Sequence, residues 1–312
     1  MQADQLDALL ASAGPARSTT AMRLGEMPGG SAIEVPCTVF RGRDDGPTVW
    51  VMAARDGDEV HASLVAMALL RSITPEALAG TLVVMPIGNV PGFGVLSREH
   101  PLAPTYLEEQ MDDAYFELIS ARGGSFIDLH SAGVPSDTVD WTLYVAGDDA
   151  GESLARAYGS PFVYEHRMGA GEGTDPGLLD GALFVRAANA GVSSILIEAG
   201  GGLPPSGDTV ARAHAGVTNA LRALGSLAEE VESRPTPRVL RGFRIVTAGR
   251  GGFFEDGAAL GDEVSAGQML ARIVDAYGET VEEIRAPVGG VVLTIPVNPA
   301  AGTGTWAYEI GW

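Results

Sequence analysis

At 312 residues, 46% of them hydrophobic, the chain is long enough for a large core and for two domains. Its net charge of −20 leaves no basic face for nucleic acid, and because all 20 basic residues are arginine, Schiff-base, lipoyl and biotinyl chemistry on lysine is excluded. No apolar run approaches the roughly 18 residues that span a bilayer, Met1-Gln2-Ala3-Asp4 lacks the basic start of a secretory signal, and a single cysteine, Cys37, rules out an internal disulfide, so a cytoplasmic protein is expected.

Residues 4–13 read as a short amphipathic helix, with Leu6, Leu9 and Leu10 at helical spacing. Ser31 to Phe40 alternates like a strand. Thr48 to Ala54 is a continuous apolar run, as a buried parallel strand requires. It breaks into Arg55-Asp56-Gly57-Asp58-Glu59, and a helix follows over about Val60–Ser72. A second buried strand, Thr81 to Pro86, leads into the loop Gly88-Asn89-Val90-Pro91-Gly92-Phe93, and a helix over about Tyr106–Arg122 precedes Phe126-Ile127-Asp128-Leu129-His130. That stretch is a short strand delivering a histidine where turn residues begin.

A strand near Trp141–Val145, helices near Glu152–Tyr158 and Leu179–Ala190, and the strand Ser193–Ile197 come next. The last strand runs into Glu198-Ala199-Gly200-Gly201-Gly202, and a helix over about Thr209–Ala228 closes the first half. Strands alternating with helices predict an α/β domain over 1–231 with a mostly parallel central sheet flanked by helices. Residues 232–237, with two prolines, read as a linker. Beyond them helical periodicity disappears, and short β-rich runs between glycine turns predict a small all-β, barrel-like domain over 238–312. Gly261-Asp262 to Gly267-Gln268 and Ala286-Pro287 to Gly290 resemble the halves of a biotinyl/lipoyl-like barrel, but the lysine of a carrier is absent.

Polar groups gather at the predicted strand ends: Asp56 with Glu59, His130 with Asp128, and Glu198, with Arg98 in the loop after another strand. Alone, His130 reads as a core histidine satisfied by backbone. Asp128 points to the same side of the strand and would orient a ligating imidazole only if the strand end bends. Together, carboxylates and an imidazole at one sheet edge have the makeup of an open hydrolytic metal site, with a separate carboxylate to take a proton and an arginine to stabilise an oxyanion.

These motifs resemble the succinylglutamate desuccinylase/aspartoacylase family, zinc-dependent deacylases related in fold to the M14 metallocarboxypeptidases. The resemblance rests on Arg55-Asp56-Gly57-Asp58-Glu59 in the place of His-Gly-Asp/Asn-Glu, on Asp128-Leu129-His130, on Glu198-Ala199-Gly200-Gly201, and on the loop from Asn89 to Arg98. It spans about residue 30 to the end. It implies Glu59 and His130 as metal ligands, Glu198 as the general base for a metal-activated water, and Arg98 as the group polarising the scissile carbonyl. Asn89 and His166 are expected to line the substrate site. The implied activity is hydrolysis of the amide of a small N-acylated amino acid or amine. A homo-oligomer is left open, and the partner is a small molecule rather than nucleic acid or membrane.

Two departures stand out. Asp56 occupies the position of the first ligand histidine, and Pro101–Gln110 holds no counterpart of the family's Asn-Arg pair that grips a substrate carboxylate. A site of Asp56, Glu59 and His130 would take one divalent ion, zinc first, with a shift toward manganese or magnesium because carboxylate is the harder donor. If Asp56 does not ligate, the alternative is a catalytically altered family member acting as a small-molecule binding protein. His61 follows Glu59 by two residues on a helix and faces away from it. His100 is a pocket or surface residue, His214 a structural or solvated one, and Cys37 a core residue. Gly169–Gly173 lacks the lysine of a phosphate loop, and no Gly-x-Ser-x-Gly elbow appears.

Overall fold

The computed structural model describes residues 3–27, 29–99, 104–169 and 178–312. The chain opens with α1 (Ala3–Leu10) and strands β1 (Ala16–Glu26) and β2 (Ala32–Arg41). β3 (Asp44–Ala53), α2 (Val60–Ser72), β4 (Ala79–Met85), α3 (Val90–Phe93), α4 (Pro104–Ser120) and β5 (Ser125–His130) follow. Then come β6 (Ser136–Thr138), β7 (Trp141–Val145), α5 (Asp149–Tyr158), β8 (Phe162–His166), α6 (Leu183–Asn189), β9 (Ser193–Glu198) and α7 (Gly207–Ala223). The remainder is β: β10 (Arg238–Leu240), β11 (Phe243–Thr247), β12 (Gly252–Glu255), β13 (Glu263–Val264), β14 (Met269–Val274), β15 (Thr280–Arg285), β16 (Gly290–Pro296), β17 (Ala300–Ala301) and β18 (Trp306–Gly311).

The large sheet runs β1-β2-β4-β3-β5-β9-β7-β8-β10. Its centre, β4-β3-β5-β9, is parallel. The β1-β2-β4 edge and the β9–β7 step are antiparallel, so the sheet is mixed where a mostly parallel one was expected. The reason lies in connection length. Parallel neighbours need a crossover such as α2 between β3 and β4, whereas the short 27–31 turn lets β1 and β2 pair only as a hairpin. Alternation sorts the side chains: Val49, Val51 and Ile127 pack under α2 and α7, and Trp50, Met52 and Phe126 under α4 and α6. Asp128 and His130 therefore fall on the Phe126 face.

The C-terminal part forms two antiparallel sheets, β11-β18-β16-β13 with β6 added on β16, and β15-β14-β12-β17. They share a core of Val264, Leu270, Ile273, Ile284, Val292, Tyr308 and Ile310. Two strands cross the expected boundary at 232–237. β10 extends the large sheet through β8, and β6 pairs with β16, Thr138 opposite Thr294. These exchanges bring the β-rich part onto the carboxyl end of the central strands.

Candidate active site

Strand register assembles the site. β5 and β9 are paired so that His130 lies directly opposite Glu198, and Ala53 at the end of β3 lies opposite Leu129. Three parallel strands therefore end at one level. Ala54, with φ of +47°, then turns the chain out of the sheet. Gly57 is required at this turn: a Cβ there would sit 2.3 Å from the carbonyl carbon of Gly92 and 2.5 Å from the Ser97 oxygen. Its N–H donates to the Arg98 carbonyl at 3.0 Å, which ties the Asp56–Glu59 turn to the loop carrying Arg98. After Glu198, Gly201 has the same kind of role, since a Cβ there would lie 2.1 Å from the Ser136 oxygen.

Asp56, Glu59 and His130 meet at this edge, their ligand atoms all within 4.8 Å of one another. His130 Nδ1 lies 3.1 Å from Glu59 Oε2 and 3.5 Å from Asp56 Oδ2, while its Nε2 faces Asp128 Oδ1 at 3.3 Å. The strand end thus brings Asp128 behind the imidazole, which orients Nδ1 toward the carboxylates. Glu59 Oε2 also accepts the Ser131 N–H at 3.1 Å. Asp56 is held by two guanidiniums, Arg55 at 2.8 Å on Oδ1 and Arg98 at 2.7 Å on Oδ2. Arg55 is itself fixed by Asp112, through hydrogen bonds of 2.9 and 2.6 Å.

The electrostatics follow from burial and crowding. Burial pushes Glu59 up to about 7, against the pull of His130. Burial works against the His130 charge, yet Glu59, Asp128 and Asp56 hold the imidazole well above its ordinary value. Burial likewise opposes the Asp56 charge, but Arg98, His130 and Arg55 keep that carboxyl well below its usual range. Glu198 has no ion-pair or hydrogen-bond partner among the described residues. Burial and the neighbouring Glu59 raise it well above the ordinary carboxylate value. Asp56, Glu59 and His130 are close enough together that they could hold a metal ion. The donor set fits a divalent ion with one nitrogen and two oxygen ligands.

Arg98 reaches across this group. It also contacts Glu59 Oε1 at 3.4 Å, and its guanidinium lies 5.5 Å from the Trp306 ring centroid. Arg98 and Glu198 form a wall between two cavities. One, of about 420 Å³, is lined by Asp56, Asp128, His130 and the Leu178–Leu183 segment. The other, of about 60 Å³, lies under Thr294, Trp306 and Glu309 of the C-terminal sheets.

Two expected substrate residues lie elsewhere. Asn89 is buried, its Oδ1 accepting from Gly92 N–H at 3.0 Å and its amide donating to the Arg98 carbonyl at 3.4 Å. It shapes the arginine loop, and both of these bonds tie it to that loop. His166 lies among Tyr164 and Phe184, with Nε2 3.1 Å from Asp180 Oδ1, and lines neither cavity. His61 faces away from Glu59 and accepts the Ser206 N–H at 2.9 Å. His214 Nε2 is 2.8 Å from the Ser72 hydroxyl, and Cys37 is a buried thiol pushed up to about 12 by desolvation. His100, Pro101–Ala103 and Ala170–Gly173 lie outside the described residues. Sequence reasoning missed Arg55, Asp112 and Glu309. The first could have been suspected from its place beside Asp56; the other two carry no local signal.

Among the described residues no helix is long and apolar enough to cross a membrane. The family model described as "Succinylglutamate desuccinylase/Aspartoacylase catalytic domain" matches residues 45–109. An N-alpha-acetyl-L-2,4-diaminobutyric acid deacetylase of Halomonas elongata is 26% identical over 289 residues, covering 84% of this chain and 80% of that protein. The product-bound ectoine utilization protein EutE (DoeB) of Ruegeria pomeroyi superposes with a TM-score of 0.81 at 22% identity, over 97% of this chain and 96% of that one. A succinylglutamate desuccinylase/aspartoacylase of Rhodobacter sphaeroides gives 0.80 at 20% identity, over 97% of both chains. These structures share the α/β fold with mixed sheet described above.

Proposed function

This chain belongs to the succinylglutamate desuccinylase/aspartoacylase family, and on that premise we propose that it is a metal-dependent hydrolase cleaving the amide of a small N-acylated amino acid or amine. The observation that carries the proposal is the meeting of Asp56, Glu59 and His130 with Glu198 and Arg98 at one sheet edge. Asp56, Glu59 and His130 would hold the ion, with Asp128 fixing the imidazole. When bound, a divalent ion such as zinc, or manganese or magnesium given the second carboxylate, supplies a Lewis acid that polarises water and carbonyl.

The remaining steps belong to side chains. Glu198 takes the proton of the attacking water and returns it to the leaving amine. Its unpaired carboxyl, raised by burial, is a stronger base than an exposed glutamate. Arg98 carries a positive charge into the cleft wall, where it stabilises the oxygen that becomes anionic as the tetrahedral centre forms. Arg55, locked to Asp112, keeps Asp56 ionised and in place.

One observation favours the second reading, a binding protein of the same fold. Both oxygens of Asp56 already have guanidinium partners, so this carboxylate is satisfied without an ion. Metal analysis of protein purified without chelator, with acyl release measured across a panel of N-acetyl amino acids, separates the two. At least about half an equivalent of divalent metal, with turnover, is expected, because a metal ligated by three side chains survives purification. Less than about a tenth of an equivalent together with no turnover overturns the hydrolase reading.

A further inference from the structure

A cavity of about 730 Å³ lies apart from the two described above and shares no lining residue with them. Thr209, Arg212 and Ala215 of α7 border it, together with the 137–140 segment, Tyr158 and Arg234. α7 packs on the Val49, Val51 and Ile127 side of the large sheet, whereas Asp128 and His130 fall on the Phe126 side. The volume is that of a small-molecule site.

The Tyr158 hydroxyl, Asp140 Oδ1 and Arg234 Nε, all from residues lining this cavity, are buried and have no hydrogen-bond partner among the described residues. Folded proteins leave few such atoms, and a group of them around one cavity asks for a bound molecule that satisfies them. Each side chain is held from elsewhere. The Tyr158 ring packs on Gly216, where a Cβ would lie 2.5 Å from it. Asp140 Oδ2 is 3.5 Å from Arg212 Nε, and the Arg234 stem lies over Gly159, where a Cβ would be 2.6 Å from its Cγ.

The unmet needs are opposite in kind. Asp140 Oδ1 requires a donor and the Arg234 Nε–H an acceptor, and leaving either unpaired is costly. An ammonium supplies only donors and a carboxylate only acceptors, so a simple cation or anion serves one side. A molecule with both groups serves both through charge-assisted bonds. The formal charges agree, since Asp137 and Asp140 are matched by Arg212 and Arg234 around the same space. Val139, Pro161, Ala211, Ala215 and Leu260 make the rest of the lining apolar.

We propose that this cavity is a second ligand site that takes a free amino acid with an aliphatic side chain, its ammonium on Asp140 and its carboxylate on Arg234. The site adjoins the turn that carries Glu198. The Thr209 methyl lies 2.7 Å from where a Gly200 Cβ would be, and the Ser136 carbonyl, one residue before Asp137, lies 2.1 Å from a Cβ on Gly201. A ligand that orders Thr209, Asp137 and Thr138 therefore also restrains the Glu198-Ala199-Gly200-Gly201 turn. The site does not depend on the hydrolase reading, because binding is read without turnover.

The test is calorimetry of the full chain with L-leucine, with 3-methylbutylamine, which lacks the carboxylate, and with 4-methylpentanoate, which lacks the ammonium. Leucine is expected to bind at one equivalent and about tenfold or more tightly than either half, and Asp140→Asn and Arg234→Gln should each weaken it by about tenfold or more. Tyr158→Phe removes a hydroxyl that has no partner in the free protein, so it should keep the native Tm and still weaken leucine severalfold. Amide exchange over residues 199–202, followed by mass spectrometry, should slow severalfold when leucine is bound. Absent binding, or binding of either half as tight as that of leucine, overturns the site. An affinity unmoved in a folded Asp140→Asn also overturns it, as that would place leucine elsewhere; if that variant does not fold, an affinity unmoved in Tyr158→Phe has the same force. Unchanged exchange with leucine bound overturns the restraint on the Glu198 turn.

Discussion

Replacing Asp56 by Asn tests the electrostatic design of the site most directly. The carboxylate accepts hydrogen bonds from Arg55 at 2.8 Å and from Arg98 at 2.7 Å, and is itself buried. An amide keeps the shape, but it offers one oxygen to two guanidiniums and turns an NH₂ toward the second. One charge-assisted bond is lost and the other becomes ion–neutral, with the recovered desolvation of the charged carboxylate set against them. Bonds to charged groups contribute about 1.5–3 kcal/mol each, so the net loss is about 2–4 kcal/mol. At about 2–4 °C per kcal/mol for large domains, Tm falls by roughly 4–16 °C. The assay is thermal unfolding followed by circular dichroism, with chelator present so that metal does not contribute. In parallel, equilibrium dialysis of Asp56→Asn and Asp56→His against zinc reads the ligand role: Asn weakens occupancy and His strengthens it. An unchanged Tm in chelator would refute the claim that the two arginines stabilise Asp56. Zinc occupancy equal in all three proteins would remove Asp56 from the ligand set.

The other predictions concern the base, the metal, the glycine hinge and the histidines. Glu198→Gln should lower kcat by about 10²–10⁴-fold. A loss under about tenfold assigns proton transfer to another group. Dialysis against a chelator should abolish acyl release, and zinc or manganese should restore it; unaffected turnover would contradict a metal-dependent mechanism. Gly201→Ala forces a Cβ against the Ser136 carbonyl and should cost about 2–3 kcal/mol in urea unfolding, whereas a neutral result would mean that the Glu198 loop is not packed on β6. Burial lowers His61 and His166 from 6.5, so between the lowered value and 6.5 the unfolded chain binds more protons. Their stability contribution is therefore fully present above that interval and is lost as the pH falls through it. His61→Gln, which can still accept the Ser206 N–H, should flatten the fall in urea midpoint between about pH 7.5 and 5.5; an unchanged slope would exclude His61 as a contributor.

Much of this molecule was legible in the order of its residues. Apolar runs at period two and helices at period 3.6 define β3, α2, β4, β5, β9 and α7 close to their observed bounds, because burial on both faces of a central strand leaves a continuous apolar signature. Strands that end in polar residues and turn-forming glycines announced Asp56, Glu59, His130 and Glu198, since a buried strand tolerates such groups only where the sheet stops. The edge strands were harder to read: β1, β6, β13, β15 and β17 are short, half-exposed or dominated by polar residues.

Tertiary structure alone decided what those groups do to one another. The sequence assigned Asn89 and His166 to the substrate, whereas folding commits Asn89 to the arginine loop and places His166 beside Asp180. It made the role of Asp128 depend on a bend, whereas β5 stays in regular register through His130 and still sets the Asp128 carboxylate 3.3 Å from the imidazole. Neither the twofold arginine grip on Asp56 nor the arrival of Glu309 through β16 has a local signature. Both arise from pairing between segments far apart in the chain, and side-chain charge acts through distance in space, not through position along the backbone.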